Sequence, residues 1–372
     1  MNPFNLDPDL IYLNHAAVAP WPKVTVDAVS TFAQENGSRG AFDYPQWLTR
    51  ESALRRLGQA LINAPSADDI ALLKNTSEGL SLVAYGMHWN PGDRVVSIAQ
   101  EFPSNRIVWE SLSSQGVEVS LLDLEQYQQP EEALFALCDD RTRLISVSSV
   151  QYARGTRLQL ERIGAFCRQH GILFVVDAIQ SLGVVPFDAQ ACLADVVVAD
   201  GHKWLLGPEG LALFFCREAV RKRLRLQQYG WHMVEAAGDF DQADWQPANS
   251  ARRFECGSPN MLGIHALHAS LSLILQTGIE TIALRVEELT REIIEQVDRM
   301  GLELLTPREA ERRAGIVTFR VPGRDNLGLY RDLMASRVVC AQRAGGIRFS
   351  PHFHNTPEQI ASAFSRLQKL LR

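Results

Sequence analysis

A lysine and an aspartate stand directly after two strand-like runs of the sequence. The run 196–199 is followed by the letters DGHKWLL, which contain Lys203, and the run 172–177 ends in Asp177. Taken singly, Lys203 is interpreted as a surface lysine and Asp177 as a helix cap. The apolar residues that follow Lys203 indicate a partly buried amine, which is the setting for a lysine that reacts with carbonyl groups.

Hydroxyl groups and an aromatic ring follow two further strand-like runs. Thr76 and Ser77 lie in NTSEGL after the run 70–73, and Phe102 lies in EFPSN after the run 94–98. Alone, the two hydroxyls indicate a helix cap and the ring a core residue, although a helix N-terminus also suits a phosphate. A phosphate cradle, a flat ring, a carboxylate and a lysine at one sheet edge together match the needs of one cofactor, pyridoxal phosphate.

The elements that must position these residues follow a repeating pattern of a β-branched run, a polar break and a helical stretch. This pattern predicts an α/β fold with a mainly parallel, doubly wound sheet. Near-continuous apolar runs predict strands covered on both faces. The predicted strands are 70–73, 94–98, 117–122, 144–150, 172–177, 196–199 and 211–215, and a helix is predicted over 158–170.

The pattern changes near Gly263, where two long helical stretches, 264–276 and 280–300, lead into a strand over 315–320 and an α+β tail. We therefore predict a large domain over 21–262 and a smaller α+β C-terminal domain over 263–372. The first segment, 1–20, is expected to pack near the active site.

The composition is that of a globular enzyme rather than a nucleic-acid-binding or disordered protein. The chain has 372 residues, is 46% hydrophobic and carries a net charge of −6, whereas duplex-binding proteins normally have a basic patch. No uncharged apolar run is long enough for a membrane span, and the N-terminus lacks the pattern of a signal peptide. We expect a cytoplasmic protein with no nucleic-acid or membrane partner.

The cysteines and histidines predict neither disulfides nor a metal site. The six cysteines are never closer than 24 residues and form no CxxC pair, so most are expected to be buried thiols. His265 and His268 share a helix face, and His352 and His354 alternate, but neither pair has an acidic or thiol partner nearby in sequence.

The stretch VVDAIQSLGVVPFD followed by VVVADGHKWLLGPEG resembles the class V aminotransferases of fold type I. This group includes cysteine desulfurases, selenocysteine lyases, isopenicillin-epimerase-like proteins and, more distantly, kynureninases. Further matches occur in order along nearly the whole chain: YLNHAA, NTSEGL, EFPSN, SSVQYARG, RFECGSPN and GGIRFSPHFHNTPEQI. The resemblance implies a pyridoxal-phosphate enzyme with a mainly parallel large domain and a smaller α+β domain.

The resemblance also implies roles for individual residues around the cofactor. Lys203 matches the lysine of the Schiff base, and Asp177 the carboxylate that keeps the pyridine nitrogen protonated. Gln180 matches the residue that hydrogen-bonds the ring oxygen, and Phe102 falls where the family stacks a ring on the cofactor. The matches to phosphate contacts are Thr76, Ser77 and His202.

Three further residues are assigned by the resemblance outside the cofactor's immediate surroundings. Ser258 matches a residue that reaches the phosphate of the neighbouring subunit's cofactor, which implies a homodimer with shared active sites. Arg348 matches the arginine that holds the substrate α-carboxylate, for which a planar guanidinium is well suited. His15 lies in a segment that resembles one bordering the family's substrate pocket.

The sequence departs from the family's pattern at Asp200. Many relatives have a serine that touches the phosphate there, and a carboxylate would repel a phosphate dianion. Either Asp200 points away from the phosphate, or the local balance of charge differs from that of the relatives.

A second departure bears on the reaction. Desulfurases carry a nucleophilic cysteine in a loop between two arginines, whereas here residues 344–347 alone separate Arg343 from Arg348 and none is cysteine. The sequence therefore favours an aminotransferase acting on a small amino acid or keto acid. The alternatives are a cysteine desulfurase or selenocysteine lyase, and an amino-acid epimerase or β-lyase of the same fold.

Overall fold

The computed structural model describes residues 3–241 and 243–372. Its strands agree closely with the apolar runs of the sequence, because a strand buried on both faces is marked by an uninterrupted apolar segment. The strands are β1 (Ile11–Tyr12), β2 (Ile70–Leu73), β3 (Arg94–Ile98), β4 (Glu118–Leu122), β5 (Thr142–Ser148), β6 (Leu173–Asp177), β7 (Val196–Asp200), β8 (Ala212–Cys216), β9 (Glu303–Leu304), β10 (Val317–Arg320), β11 (Val338–Val339), β12 (Ala341–Arg343) and β13 (Gly346–Phe349).

The helices include the three that the sequence predicts, here α6, α8 and α9. The α-helices are α1 (Lys23–Arg39), α2 (Tyr44–Ile62), α3 (Thr76–Gly86), α4 (Ser104–Glu110), α5 (Pro130–Ala136), α6 (Leu160–His170), α7 (Glu218–Arg221), α8 (Met261–Thr277), α9 (Ile279–Arg299), α10 (Asn326–Ala335) and α11 (Pro357–Leu370). Short 3-10 helices occur at Ala67–Asp69, Ser111–Gln115, Leu124–Gln126, Trp231–Met233, Ala251–Phe254 and Ala310–Arg312.

The central sheet has seven strands in the order β2-β8-β7-β6-β5-β3-β4. Strand β8 runs antiparallel to both of its neighbours, and the remaining pairs are parallel. The predicted fold class, an α/β protein with a mainly parallel, doubly wound sheet, is therefore confirmed.

Both faces of this sheet are covered by hydrophobic residues. Successive side chains of β6 alternate between two clusters, with Phe174 and Val176 in one and Val175 in the other. This period of two places apolar residues on each face and explains why the strand is apolar throughout. The carboxyl ends of β5, β6 and β7 are thereby held at one rigid edge.

The C-terminal part forms a smaller four-stranded antiparallel sheet in the order β12-β13-β10-β9. Strand β1 pairs in parallel with β11, with Ile11 opposite Val338 and Tyr12 opposite Val339. The chain then crosses to the large sheet, where the Ala19 N–H donates to the His202 carbonyl at 2.8 Å. The N-terminal segment thus contacts both parts of the molecule.

Helix α9 contributes residues to the hydrophobic cores of both domains. Helix α8 contributes Ile264 and Leu267 to the core of the large domain, and α9 adds Ile282 to that core, whereas Leu289 and Ile293 of the same helix belong to the core of the small domain. The change from one core to the other therefore occurs within α9, on the C-terminal side of the predicted domain boundary at residue 262.

No single helix of the described chain has both the length and the hydropathy to cross a membrane; α8 and α9 meet those criteria only when taken together across an 82° bend.

The apolar run 338–341 does not form one continuous strand. Strand β11 ends at Val339 and β12 begins at Ala341. The interruption at Cys340 occurs because β11 pairs with the N-terminal β1, while β12 pairs with β13 in a different sheet.

Candidate active site

Lys203 lies in the loop after β7 and is almost fully buried. The pKa of its amine is lowered to about 8, chiefly by burial and also by the nearby guanidinium groups of Arg348 and Arg343, against the opposing effect of Asp177 and Asp200. A lysine with such a pKa is partly neutral near neutral pH, and a neutral amine can act as a nucleophile and as a base.

Asp177 ends β6 and is buried at the same edge of the sheet. Its pKa is raised to about 6, chiefly by burial, while the hydrogen bond from the Ile179 N–H at 3.0 Å and the charge of Lys203 act in the opposite direction. A bound cation would offset the cost of burying this carboxylate. Lys203 and Asp177, which the sequence predicts at one edge of the sheet, are therefore close enough for each charge to change the pKa of the other group.

Another buried carboxyl group, that of Glu101, lies beside Asp177. Its oxygen Oε1 accepts a hydrogen bond from the Ser148 N–H at 2.6 Å, and Ser148 is the register partner of Asp177. The pKa of Glu101 is raised to about 7, chiefly by burial and also by the charge of Asp177, against the opposing effect of the hydrogen bonds from Ser148. No role was predicted for Glu101, because a single acidic residue in a loop after a strand has no distinctive pattern.

The N-terminus of α3 carries the two hydroxyl groups proposed as phosphate contacts. Thr76 is buried, and its Oγ1 accepts a hydrogen bond from the Asp200 N–H at 3.2 Å, which joins α3 to the end of β7. Ser77 is exposed and donates to Ser104 Oγ at 2.8 Å. Asn75 caps the helix through its side chain, and the first-turn N–H groups give this end a partial positive charge.

The Asp200 carboxylate lies against His202. Its Oδ1 is 3.0 Å from His202 Nδ1, although the two groups are not oriented to form a hydrogen bond and both atoms are buried. The contact shows where the carboxylate is directed, and its charge reaches both Asp177 and Lys203.

Gln180 is held in a fixed orientation by two hydrogen bonds. Its Oε1 accepts the indole N–H of Trp204 at 2.8 Å, and its Nε2 donates to the Ala16 carbonyl at 3.0 Å. The amide oxygen is therefore occupied, and the second hydrogen on Nε2 remains available as a donor. Trp204 was noted in the sequence only as an apolar neighbour, and its role in fixing Gln180 was not predicted.

Phe102 and Arg348 border Lys203 from two directions. The Phe102 ring is 39% exposed, lies 5.3 Å from Lys203 Nζ and packs edge-on against Tyr152. Arg348 in β13 is fully buried, donates through Nη1 to the Tyr152 carbonyl at 2.6 Å and approaches Asn14 Oδ1 at 3.5 Å. Burial and the charge of Arg343 lower the pKa of Arg348 to about 9.

His15 is buried beside this group in a cluster of histidines. Its Nδ1 lies 2.9 Å from the Ser350 carbonyl oxygen, and its Nε2 lies 3.0 Å from His354 Nε2. Burial lowers the pKa of His15 well below its usual value, with the neighbouring histidines adding to the shift. The imidazole also stacks on Trp204, so His15 supports the loop that carries Lys203.

Ser258 lies at the surface of the chain. It is exposed and lines a surface cavity of about 260 Å³ together with Lys74, Glu78 and Cys256. Lys74 and Glu78 flank Thr76 and Ser77 in sequence, so this cavity lies close to the N-terminus of α3.

The donor set around Lys203 fits pyridoxal phosphate. A buried amine of lowered pKa, a buried carboxylate and an aromatic ring face one another, and the first turn of α3 offers N–H groups to a phosphate. Arg348 Nε is buried without a hydrogen-bond partner among the described residues. Because buried donors normally have partners, this atom indicates a place for a bound anion.

A separate buried cluster lies away from Lys203 and consists of Glu51, His232 and Glu255 around Arg55. Arg55 donates to both glutamates, with an Nη2 to Oε2 distance of 2.9 Å to Glu255. A metal ion at this cluster would face the Arg55 guanidinium, so we interpret the cluster as an ion-pair network.

Comparisons with known proteins identify the family of the chain. The family model Aminotransferase class-V matches residues 11–361. The probable cysteine desulfurase of Pyrococcus abyssi is 27% identical over 391 residues, covering 99% of this chain and 96% of that protein. The cysteine desulfurase of Salmonella typhimurium is 30% identical over 322 residues, covering 84% of this chain and 78% of that protein.

Among solved structures, the cystine C–S lyase C-DES bound to its product cysteine persulfide superposes with a TM-score of 0.90. It is 21% identical, and the match covers 97% of each chain. Another structure of C-DES, a variant with glycine covalently linked to the pyridoxal-phosphate cofactor, also gives a TM-score of 0.90. At this level of identity the likeness shows a common fold.

Proposed function

Because the chain belongs to the class-V aminotransferase family of pyridoxal-phosphate enzymes with fold type I, we propose that it cleaves the Cβ–S bond of a cysteine-type amino acid by β-elimination. The curated relatives are named cysteine desulfurases, and C-DES is named a cystine C–S lyase. These names support the sulfur-releasing alternative better than the aminotransferase that the sequence favoured.

The observation that carries elimination, rather than transfer of sulfur to the enzyme, is the placement of the thiols. Cys340 precedes Arg343 in sequence and packs with Ile347 and Phe349 in the core of the small domain. Burial raises its pKa to about 12, so almost none of it is thiolate at neutral pH. A persulfide route needs a reactive thiolate at the substrate, whereas elimination needs none.

The other cysteines are also poorly placed for a persulfide route. Cys167, Cys192 and Cys216 are buried, and Cys138 is half-buried with its pKa raised to about 11 by burial. Cys256 is half-buried, but it lines the surface cavity that contains Ser258. Within one chain, the described thiols therefore lie outside the group around Lys203.

The residues around Lys203 would have different roles in an elimination. Pyridoxal phosphate, when bound, withdraws electrons from the Cα of an amino acid joined to it. Asp177 would hold a proton at the pyridine nitrogen, and Arg348 would hold the substrate α-carboxylate. The Lys203 amine, with its pKa of about 8, is suited to take the Cα proton.

The overall reaction balances without an oxidant or reductant. The Cα–H and Cβ–S bonds break, the electron pair of the Cβ–S bond leaves with sulfur, and the released 2-aminoacrylate hydrolyses to pyruvate and ammonia. From cysteine the sulfur product is hydrogen sulfide, and from a disulfide of cysteine it is a persulfide.

A cysteine desulfurase remains the second candidate, because both curated relatives carry that name. It requires a thiol that reaches the substrate, and Cys256 is the candidate if active sites are shared between copies of the chain, because it lines the same surface cavity as Ser258. Homodimerisation with Ser258 completing the partner's site stays a proposal, supported by the exposure of Ser258 and its distance in sequence from the other phosphate residues.

Product analysis tests the proposal directly. The holoenzyme is incubated with L-cysteine and, separately, with L-cystine, and pyruvate, ammonia and alanine are measured. Elimination yields pyruvate and ammonia in equal amounts from either substrate. Alanine as the main product would identify a desulfurase instead, and a 2-oxo acid formed without ammonia would identify an aminotransferase.

A further inference from the structure

The backbone carbonyl of Trp204, the residue after Lys203, is held by a histidine of the small domain. The carbonyl oxygen lies 3.1 Å from His352 Nε2, and both residues are fully buried. Among the residues that the structure describes, no other donor reaches this oxygen. Because a buried carbonyl group without a partner is costly, the orientation of the Trp204 carbonyl depends on one imidazole.

The tautomer of His352 follows from its two hydrogen bonds. The Phe353 N–H donates to Nδ1 at 2.8 Å, so Nδ1 carries no proton. The proton of a neutral imidazole is then on Nε2, which faces the Trp204 carbonyl. Burial lowers the pKa of His352 to about 4, so the ring is neutral near neutral pH. His352 therefore donates its single ring proton to Trp204.

The rest of the turn around Lys203 is fixed by other contacts. The Lys203 carbonyl accepts the Leu206 N–H at 2.9 Å, and the Leu206 carbonyl accepts the Ser270 hydroxyl at 2.8 Å. Leu206 has a φ of 59°, which a leucine adopts only where its surroundings impose it. A Cβ atom at Gly183 would lie 2.4 Å from the Trp204 carbonyl oxygen, so only glycine fits against it. In so closely packed a turn, a shift of the Trp204 carbonyl displaces Lys203.

His352 is itself anchored to the N-terminal segment. Its N–H donates to Asn355 Oδ1 at 2.8 Å, and Asn355 Nδ2 donates to the Tyr12 carbonyl at 3.1 Å. The Ser350 N–H donates to the Leu13 carbonyl at 2.8 Å. The imidazole therefore belongs to a firm junction between the small domain and the N-terminal segment.

The same short segment carries Arg348, the residue proposed to hold the substrate carboxylate. Arg348 lies in β13, and His352 follows four residues later in the sequence. One segment thus supplies the group for the carboxylate and, through Trp204, a contact with the loop of the base that takes the Cα proton. Such alignment matters, because a misplacement of about 1 Å can cost about 100-fold in rate.

We propose that His352 is a positioning residue for Lys203. Its Nε2–H orients the Trp204 carbonyl, and the resulting turn directs the Lys203 amine toward the Cα of an amino acid bound at Arg348. The inference rests on the proposed roles of Lys203 and Arg348. It does not depend on the fate of the sulfur atom, because all the candidate reactions begin with removal of a Cα proton.

Two amides in place of His352 test the role of its hydrogen bond. In His352→Gln the amide nitrogen can occupy the place of Nε2 and still donate to Trp204. In His352→Asn the shorter side chain can replace only Nδ1, so the Trp204 carbonyl loses its donor. His354→Asn is the matched control, because His354 belongs to the same histidine cluster but contacts His15 rather than Trp204.

The first measurement is the exchange of the Cα hydrogen of L-alanine for deuterium by the holoenzyme in D2O. This exchange needs Lys203 and Arg348 but no leaving group. We expect His352→Asn to lower kcat for exchange by about 10- to 100-fold, while KM changes by less than about two-fold because Arg348 is unchanged. His352→Gln and His354→Asn should stay within about three-fold of the wild type.

The second measurement does not depend on turnover. Cofactor-free protein is mixed with pyridoxal phosphate, and the borohydride-reducible adduct on Lys203 is followed with time. The adduct should form about ten-fold more slowly in His352→Asn than in the wild type. His352→Gln and His354→Asn should form it at the wild-type rate.

The outcomes separate this inference from a structural role and from the proposed function. Equal rates in His352→Gln and His352→Asn would show that the hydrogen bond to Trp204 has no positioning role. A loss of kcat in His354→Asn as large as that in His352→Asn would reduce His352 to a structural residue.

Two results would instead bear on the proposed function. If the holoenzyme exchanges the Cα hydrogen but forms no pyruvate from cysteine, the lyase function fails and the inference stands. If the wild type exchanges no Cα hydrogen, the proposed roles of Lys203 and Arg348 in that step fail, and the rate of adduct formation decides whether His352 positions Lys203.

Discussion

The amine of Lys203 lies 5.3 Å from the centre of the Phe102 ring. The lysine follows β7 and the ring follows β3, so two separate strands of one rigid sheet set this distance. An aromatic face presented to a buried amine is the arrangement that a planar cofactor bonded to that amine requires.

Replacing Lys203 with alanine should abolish both turnover and the covalent attachment of the cofactor. The variant removes the amine, whose nucleophilic nitrogen forms the Schiff base in the family. Borohydride reduction followed by peptide mapping of the wild-type protein should place the adduct on Lys203. An adduct on any other lysine would contradict the assignment.

Asp177→Asn should slow the reaction by about 100-fold or more, which corresponds to about 2.7 kcal/mol in the activation free energy. The variant keeps the shape of the side chain but removes the charge that favours a protonated pyridine nitrogen. The measurement is kcat at saturating substrate with the cofactor content of each preparation determined. A rate close to that of the wild type would show that the nitrogen is held in another way.

The stability of the cofactor-free protein should rise with pH because of Lys203. Its pKa is about 8 in the folded protein and near the ordinary 10.5 when unfolded. The unfolded chain therefore binds more protons between these values, and folding becomes more favourable as the pH rises, by up to ~3 kcal/mol.

The matched variant for this test is Lys203→Met, which should lack the gain and be the more stable protein below pH ~8. Urea unfolding of both proteins at about pH 7 and about pH 10 measures the difference. The same pH response in both proteins would show that the lowered pKa of Lys203 is wrong.

Mixing two inactive variants should restore activity if the active sites are shared between subunits. In a mixed dimer of Lys203→Ala and Ser258→Asp, one site combines an intact Lys203 with an intact Ser258 from the other chain. We expect partial recovery of activity after co-refolding or co-expression. Lys203→Ala mixed with Asp177→Asn is the control and should stay inactive, since those residues act from the same chain. A fully active monomer in sedimentation would exclude shared sites.

Cys340→Ser should leave pyruvate formation from cysteine within about two-fold of the wild-type rate, allowing for a modest loss of packing. The thiol is buried in the core of the small domain and is not thiolate at neutral pH. The rates of sulfide and pyruvate production are the measurement. Loss of sulfide release in this variant alone would restore a persulfide mechanism on Cys340.

The sequence predicted the central sheet well for a physical reason. Strands such as β6 and β7 are buried on both faces, so their apolar runs are unmistakable, and the carboxyl ends of parallel strands must meet at one edge. The break at Cys340 could not be predicted, because it depends on β1 and β13, which pair with the two halves of the apolar run from distant parts of the chain.

The candidate site was predicted less completely than the fold. Lys203, Asp177 and Phe102 come together as expected, since each follows a strand of the same sheet. The contacts made by Tyr152 through its carbonyl oxygen and by Trp204 through its indole N–H were missed. A hydrogen bond to a backbone carbonyl cannot be predicted from the sequence, because every residue type has that group. A tryptophan beside a strand end is usually interpreted as a core residue.

The tight turn at Ala344 and Gly345 marks a place where the fold could accept additional chain. The strands on either side are held in register by their own pairs, and lengthening a surface loop costs only about 0.6 kcal/mol per doubling of its length. A longer loop inserted here would begin and end beside Arg343 and Arg348. A single insertion event that carried a cysteine could therefore introduce a thiol next to the substrate without rebuilding either domain.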